Sequence, residues 1–272
     1  MKKVRRLLAL AAVMTIFLWL AMPAMAQGVS LPGGETLQLR ADYWINELSA
    51  EVKVTSGILL GTTIDAFDTL GMDVHHQTII PVIGSYARFG FRLEFWRNIY
   101  EGEKNLDEPI IFNGTVYPVG DHLESKFTID NYDARLFIDI LPQKKLDLYP
   151  MAGIRYKRYE IWLNDLTTGD TDNEILHAPM PYVGGGIRFN ISQYVSFGGE
   201  VGAMNITFSD YDLQLSDFMD FQAYAEIRLT PMFAIVGGFR YLTFRISAKK
   251  DDVDYSMKEE MQGMFVGAAL TF

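Results

Sequence analysis

The sequence predicts an all-β fold, a transmembrane antiparallel up-and-down β-barrel of about ten strands, within a range of roughly eight to twelve. Three observations carry this prediction. Extended stretches alternate apolar with polar or small side chains, as strands do when their two faces meet different surroundings. The connections between the stretches alternate between short and long. Beyond residue 26 no stretch approaches the ~20 apolar residues of a spanning helix, whereas a closed barrel can span a membrane without one.

Ten extended stretches follow one another along the chain, with turn residues between them. The first contains residues 46–49, which form either a turn or a bend, and a turn there would give eleven strands. Because single-chain transmembrane barrels favour an even number of strands, we keep this stretch whole. The approximate limits are 36–54, 77–89, 90–102, 123–141, 145–163, 180–190, 193–208, 218–229, 232–249 and 254–272.

The two faces of a stretch differ in polarity. In 123–141, one face carries Tyr132, Ala134, Leu136, Ile138 and Ile140, and the other carries Asn131, Asp133, Arg135, Phe137 and Asp139. In water the apolar faces would need a covering layer, and nothing outside these stretches could supply one. If all stretches close one barrel, the apolar faces meet lipid and the charged faces point inward.

Connection length distinguishes the two ends of the predicted barrel. Short connections lie near 88–90, 141–145, 190–193 and 229–232, and longer polar ones near 55–76, 103–122, 164–179, 209–217 and 249–254. Short periplasmic turns and longer external loops are typical of such barrels. Within the first long loop, Ile64, Phe67 and Leu70 recur at helical spacing before Gly71, which predicts a short helix over 62–71.

The N-terminus predicts export. A basic leader contains Lys2, Lys3, Arg5 and Arg6, an apolar run follows, and Ala24-Met25-Ala26 has the small-residue pattern of a cleavage site. We therefore expect a cleaved signal peptide over 1–26, a flexible N-terminal segment over 27–35 and the barrel domain over 36–272. A membrane-anchoring helix is the alternative reading of the apolar run. The chain has no Cys, which excludes lipoprotein attachment and a disulfide framework.

The C-terminal stretch keeps the two-face pattern to the last residue. One face carries Leu270, Ala268, Val266 and Met264, and the other carries Thr271, Ala269, Gly267, Phe265 and Gly263. A final strand that ends in a terminal Phe resembles bacterial outer-membrane β-barrels, whose assembly machinery recognises such an end. The resemblance implies localisation in the bacterial outer membrane. It also implies that Phe272 and Leu270 form an assembly signal, with the barrel-assembly machinery as a partner.

Three segments in the first half of the chain carry a second resemblance. Residues 70–73, 91–95 and 111–117 are similar to segments of a family of uncharacterised outer-membrane proteins from Gram-negative bacteria. This resemblance supports the same localisation and implies no particular activity.

Charge and composition narrow the choice of partners. The chain has 24 basic and 34 acidic residues and a net charge of −10, which argues against nucleic acid, because nucleic-acid binding needs a basic surface. Its 18 Phe, 14 Tyr and 4 Trp suffice for aromatic belts at both membrane interfaces. We expect outer-membrane lipid and lipopolysaccharide as partners. Asp170, Asp172 and Glu174 are candidates for binding divalent cations, with a solvated acidic loop as the alternative.

The inward-facing set mixes both signs of charge. Buried charges are tolerated when they are paired, so we predict an ionic network across the lumen. Since eight strands already fill with side chains, ten strands favour a largely filled barrel with a structural or surface-interaction role; a narrow pore for small solutes is the alternative. The predicted network comprises Arg40, Asp42, Arg92, Glu94, Asp133, Arg135, Asp139, Arg155, Arg188, Glu200, Glu226, Arg228 and Arg240, and Lys157 also faces inward.

An outer-membrane enzyme that modifies lipid is the second alternative. The four His residues, His75, His76, His122 and His177, lie in or beside predicted external loops. Ser125 lies close to His122, and the two could form a nucleophile and its base, although solvated surface residues are the simpler interpretation. Neither G-x-S-x-G nor H-E-x-x-H occurs in the sequence. We therefore predict no catalytic residues, no metal site and no cofactor.

Overall fold

Long antiparallel strands dominate the computed structural model, which describes residues 36–56, 61–72, 76–86, 88–141, 145–204, 213–250 and 253–272. The predicted signal peptide, the segment 27–35 and His75 lie outside these residues. The strands are β1 (Thr36–Ser56), β2 (Ile64–Asp65), β3 (His76–Tyr86), β4 (Phe89–Asn105), β5 (Ile110–Phe112), β6 (Thr115–Tyr117), β7 (His122–Ile138), β8 (Leu146–Asp165), β9 (Thr171–Asn190), β10 (Val195–Met204), β11 (Leu213–Arg228), β12 (Phe233–Lys250) and β13 (Val253–Thr271).

Ten of these strands form one closed sheet, in the order β1-β3-β4-β7-β8-β9-β10-β11-β12-β13, and β13 pairs with β1 to close the ring. The closing register runs from Gln38 opposite Thr271 to Ser56 opposite Val253. At its periplasmic end, the Phe272 N–H donates to the Leu37 carbonyl at 2.8 Å. Among the described residues, closure leaves the ten-stranded ring without an edge strand, as β-structure in hydrocarbon requires. The predicted all-β, up-and-down barrel of ten strands is confirmed.

Several strands extend further outward than the sequence predicted. The loop predicted over 164–179 is wrong in extent, because β8 and β9 pair as far as Asn164 opposite Thr171. The prediction failed because residues 170–174 are polar on both strand faces and so have the composition of a solvated loop. In contrast, β1 is continuous through residues 46–49, so the first stretch is a single strand.

The predicted helix over 62–71 is also wrong. These residues, which the structure describes throughout, contain the short strand β2 and two successive α-turns, closed by hydrogen bonds from Thr69 N–H to the Asp65 carbonyl (3.0 Å) and from Gly71 N–H to the Phe67 carbonyl (2.9 Å). Ile64 pairs with Val52 of β1, and this pairing takes the residues that would begin a helix.

No helix in the described part of the chain is long and apolar enough to cross a membrane.

The outer surface of the barrel divides into an apolar band and a polar external end. Exposed apolar residues of the band include Phe89, Phe91, Leu93 and Phe95 on β4, Leu136 and Ile138 on β7, Val183 and Phe189 on β9, and Val266 and Met264 on β13. On β4 the outward residues beyond Ile99 are Glu101 and Glu103, both exposed. The short turns lie at the apolar end, so this end is periplasmic and the band spans the membrane.

Candidate functional site in the lumen

Ion pairs fill the periplasmic half of the lumen. Arg92 on β4 donates to both carboxylate oxygens of Glu200 on β10, with Nη1–Oε2 at 2.7 Å and Nη2–Oε1 at 3.0 Å. Arg135 on β7 donates through Nε to Asp133 at 2.8 Å and through Nη1 to Glu200 at 3.3 Å. All four side chains are buried. Charge-assisted, partly bidentate bonds of this kind fix the positions of the strands that carry them.

A second group of ion pairs converges on Asp220 of β11. Its Oδ2 accepts hydrogen bonds from Nη2 of Arg240 and Nη2 of Arg155, both at 2.6 Å. Arg240 also donates to Glu94 at 3.1 Å, and Arg155 also donates through Nε to Asp133 at 3.0 Å. Because β12 and β4 are not neighbours in the sheet, the Arg240–Glu94 bond crosses the lumen.

Lys157 and Glu259 bridge the lumen at the next level outward. The Lys157 Nζ lies 2.7 Å from each carboxylate oxygen of Glu259, and Tyr159 donates its hydroxyl to the same carboxylate at 2.5 Å. Lys157 is on β8 and Glu259 on β13, which lie five strands apart around the ring of ten. The Lys157–Glu259 ion pair therefore joins opposite walls of the barrel.

Aromatic rings enclose the central guanidinium groups. The Arg155 guanidinium carbon lies 5.1 Å from the centre of the Trp96 ring and 5.0 Å from that of Phe218. The Arg240 guanidinium carbon lies 4.9 Å from the centre of Trp96. Cation–π contacts of this length partly replace the hydration that burial removes.

Inward glycines make room for tyrosine rings in the same region. A Cβ atom on Gly153 would lie 2.7 Å from the Tyr182 ring, and one on Gly202 would lie 2.9 Å from it. The Tyr182 hydroxyl donates to Asp133, at 3.0 Å from each oxygen. These glycines therefore let an aromatic side chain lie flat on the wall and join the ionic network.

The external half of the lumen is apolar, which sequence reasoning did not anticipate. Neighbouring rings follow one another from Tyr100 to Phe127 (6.4 Å between centres), from Phe127 to Tyr159 (6.1 Å) and from Tyr159 to Phe244 (5.9 Å). The signal was present in the inward positions of the strand ends, such as Leu123 and Leu242, both buried. This half of the barrel resembles the core of a water-soluble protein.

Two external connections cover this apolar core. Buried residues of 61–72 and of the β5–β6 hairpin supply the cover: Ile64, Ala66, Leu70, Met72, Ile110, Phe112 and Tyr117. A hydrogen bond from the Ala66 N–H to the Ala50 carbonyl, at 2.9 Å, attaches residues 61–72 to β1. A second bond, from the Thr62 N–H to the Ile111 carbonyl at 2.9 Å, joins residues 61–72 to the β5–β6 hairpin. The outer mouth is thus closed by packed side chains.

Most residues predicted for the lumen network are buried inside the barrel, but Arg228 and Asp139 are not. Arg40, Asp42, Arg92, Glu94, Asp133, Arg135, Arg155, Glu200, Glu226 and Arg240 are buried. Arg188 donates to Glu226 at 2.9 Å. Arg228 also donates to Glu226 at 2.9 Å, but its side chain is 43% exposed at the periplasmic mouth. Asp139 lies outside the network: β7 ends one residue before it, and its carboxylate accepts the Leu141 N–H in the turn.

Asp220 and Glu259 are network residues that sequence reasoning missed. Glu259 lies in the charged run 258–260, which has the composition of a solvated surface. The only available signal was strand parity, since Glu259 shares a face with the buried Met257 and Met261. Asp220 shares a face with Phe218 and Gln222 in the same way.

The structure does not assemble the His122–Ser125 pair of the alternative, a lipid-modifying enzyme. The His122 ring contacts Glu103 at 2.7 Å and Asn105 at 2.8 Å on the outside of the barrel. Ser125 is buried on the inward face and donates to the Gly102 carbonyl at 3.2 Å. His177 faces outward against Tyr156. Among the residues that the structure describes, no group of three or more acidic or His side chains is arranged to hold a metal ion.

Two carboxyl groups meet among the external connections. Asp121 and Asp165 are both buried. Burial raises the pKa of Asp121, and the neighbouring Asp165 carboxylate raises it further. Burial alone would raise the pKa of Asp165 as well, but hydrogen bonds from the Thr168 hydroxyl and the Thr167 N–H outweigh this and lower it. The two pKa values are therefore pushed apart, and as the pH falls Asp121 takes up a proton before Asp165 does.

Comparison with known structures agrees with this architecture. The outer membrane protease OmpT from Escherichia coli superposes with a TM-score of 0.54 at 12% identity, over 90% of this chain and 99% of that one. This chain thus has the closed β-barrel fold of bacterial outer-membrane proteins. At this identity the likeness to OmpT extends to the fold alone.

Other outer-membrane barrels match less closely. Ail of Yersinia pestis, in complex with the heparin analogue sucrose octasulfate, has a TM-score of 0.36 at 12% identity over 88% of this chain and 99% of that one. Neisserial surface protein A has a TM-score of 0.33 at 12% identity over 87% and 97%. No protein-family model matches the sequence. No curated protein matches it either.

Proposed function

We propose that this barrel does not conduct and that its role is structural or lies in interactions at the cell surface. The proposal is supported by the paired charges and packed rings inside the barrel. Ion pairs such as Lys157–Glu259 join opposite walls, and the covered apolar core closes the outer mouth. A solute would have to displace paired charges and packed rings to cross, and both displacements are energetically costly.

Single-channel recording in planar bilayers tests this proposal. We expect no steady openings from the wild-type protein. The double variant Arg240→Ala/Asp220→Ala removes one charge of each sign from the lumen and should introduce a small conductance. Arg245→Ala/Asp217→Ala is the matched control, because this pair joins the same two strands on the outer surface. Steady wild-type openings would overturn the proposal and favour the narrow pore.

We also propose the partners of this barrel. Outer-membrane lipid surrounds the apolar band, lipopolysaccharide contacts its external border, and the barrel-assembly machinery recognises Phe272 and Leu270. A further proposal is that divalent cations bridge the acidic side chains of Asp170, Asp172 and Glu174 to lipopolysaccharide phosphates, since the three side chains are not arranged as a metal site of their own. Residues 1–26 act as the cleaved signal peptide that directs export.

A further inference from the structure

An aromatic row lies near the external edge of the apolar band on four neighbouring strands, and on β4 one further exposed apolar residue, Ile99, lies beyond it. Phe95 on β4 contacts Tyr132 on β7, with 5.0 Å between ring centres. Tyr132 contacts Tyr156 on β8 at 6.1 Å, and Tyr156 stacks on His177 of β9 at 5.9 Å. Outward aromatic rings of this kind lie at the level of lipid headgroups. The row therefore locates the outer interface on this side of the barrel.

Three charged residues form a second row, one outward position further from the periplasm. Arg97, Asp130 and Arg158 are register partners on β4, β7 and β8. Asp130 accepts from Nε of Arg97, from Nη2 of Arg97 at 3.0 Å and from Nη1 of Arg158 at 3.5 Å. The Asp130 side chain is only 3% exposed, whereas that of Arg97 is 51% exposed and that of Arg158 is 29% exposed. The buried Asp130 carboxylate thus holds the Arg97 guanidinium. The Arg158 guanidinium lies beside it and is held mainly by Glu160, to which its Nη2 donates at 2.8 Å.

We propose that this arginine row, Arg97 and Arg158 with Asp130 between them, binds the phosphoryl headgroup of a lipid in the outer leaflet. A phosphate on a lipid whose acyl chains contact the apolar band would lie at the level of these guanidinium groups. Guanidinium groups bind phosphate through paired hydrogen bonds. Asp130 fixes one edge of the Arg97 guanidinium, so less side-chain freedom is lost when the phosphate binds.

The outer surface differs on the other side of the barrel. On β12 and β13 the outward residues next beyond Tyr241 and Met264 are Thr243 and Gln262, which carry no charge, and an outward arginine follows only one position further, at Arg245. The sugar rings of a glycolipid headgroup would find the Tyr132 and Tyr156 rings directly beneath the arginines. A phosphorylated glycolipid such as lipid A therefore fits this surface better than a zwitterionic phospholipid does. This inference rests on the proposed contact between lipopolysaccharide and the external border.

The experiment measures lipid binding to the purified protein in detergent by native mass spectrometry, with diphosphoryl lipid A as the probe. We expect Arg97→Gln/Arg158→Gln to weaken binding about 100-fold, or ~10-fold for each charge-assisted interaction removed. Arg245→Gln is the matched control, because Arg245 is an outward arginine with similar exposure and a single carboxylate partner. It should bind as the wild type does.

Two further probes identify what the site recognises. Lipid A stripped of its phosphates should bind the wild type as weakly as intact lipid A binds the double variant. Inorganic pyrophosphate should not compete at concentrations comparable to the lipid, because the aromatic row contributes only to a lipid ligand.

The outcomes separate this inference from the proposed function. Equal losses of lipid A affinity in the arginine-row variant and the Arg245 control would overturn the proposed site. Lipopolysaccharide would then contact the external border without a specific binding site. No binding of lipid A by a wild-type protein that still migrates as a folded barrel on unheated gels would overturn the proposed contact as well. Neither result depends on whether the lumen conducts.

Discussion

Lys157 and Glu259 meet across the full width of the barrel, with Nζ 2.7 Å from both carboxylate oxygens and neither side chain exposed. The two residues lie 102 positions apart in the sequence. Their pairing means that the centre of the lumen depends on contacts between opposite walls as well as between neighbouring strands.

Removal of one partner of this pair should destabilise the barrel strongly. Lys157→Met leaves the Glu259 carboxylate buried without its cation, which costs about 3–5 kcal/mol. Lys157→Met/Glu259→Leu removes both charges and should recover most of the loss, because an apolar pair can replace a buried ion pair at little cost. Equilibrium unfolding by urea in detergent micelles measures the free energy of unfolding of both variants. Equal stability of the single and double variants would contradict the expected coupling.

A methyl group on the inner wall should displace Tyr182. Gly153→Ala places a Cβ 2.7 Å from the Tyr182 ring, so the ring must move and its hydroxyl loses Asp133. We expect a loss of about 1–3 kcal/mol in the same unfolding experiment. Gly199→Ala is the control, since its Cβ would meet only the Gln222 carbonyl at 3.7 Å. A Gly153 variant as stable as the Gly199 variant would show that the ring has room to move.

The Asp121–Asp165 pair should make the loop 166–170 sensitive to pH. The raised pKa of Asp121 gives stability below the ordinary aspartate pKa of 3.8, and this is lost as pH rises through the raised value. The lowered pKa of Asp165 gives stability above 3.8, and this is lost as pH falls through the lowered value. The loop is therefore most stable near the ordinary pKa, where the pair holds one proton.

Asp121→Asn, which cannot ionise, tests this dependence. At pH 7 it should slow amide hydrogen exchange of Gly169, whose N–H donates to the Asp165 carbonyl at 2.7 Å. Near pH 4 the variant and the wild type should exchange alike. Asp107→Asn, at an exposed loop carboxylate paired with Lys104, should change neither rate. Unaltered exchange of Gly169 at pH 7 in the Asp121 variant would contradict the expected repulsion between the two carboxylates.

The terminal Phe should affect assembly more than stability. Phe272→Ala keeps the backbone bonds between residues 272 and 37, so refolding in detergent should be nearly unchanged. If the assembly machinery recognises the aromatic side chain, the amount of folded barrel in cell membranes should fall. Thr271→Ala serves as the control. Normal amounts of the Phe272 variant in cells would remove Phe272 from the assembly signal.

Strand parity alone was enough to predict most of the barrel wall. A period of two separates faces without any knowledge of partners, so Arg92, Arg135 and Arg240 could be assigned to the interior directly. Which carboxylate each arginine meets could not be predicted, because partners across the lumen are set by the ring order and the stagger of the strands.

The external half was harder to predict for a physical reason. Above the membrane the outer face of each strand meets water instead of lipid, and the inner face packs into an apolar core. The contrast between an apolar outer face and a charged inner face, on which the prediction depended, is therefore lost. One local signal was nevertheless available. Asn113 and Gly114 have φ angles of 50° and 85°, as in the type I′ turns that Asn-Gly favours, and this dipeptide between apolar residues predicts the β5–β6 hairpin.

The seam between β1 and β13 joins the first and last strands of the described chain. Until β1 and β13 pair, both strands have rows of backbone amide and carbonyl groups without hydrogen-bond partners, and each such group costs several kcal/mol in hydrocarbon. A partly closed barrel is therefore not a stable intermediate within a bilayer. Insertion and closure of the ring must be completed together, and a truncated chain that lacks β1 or β13 would have no stable membrane-inserted form.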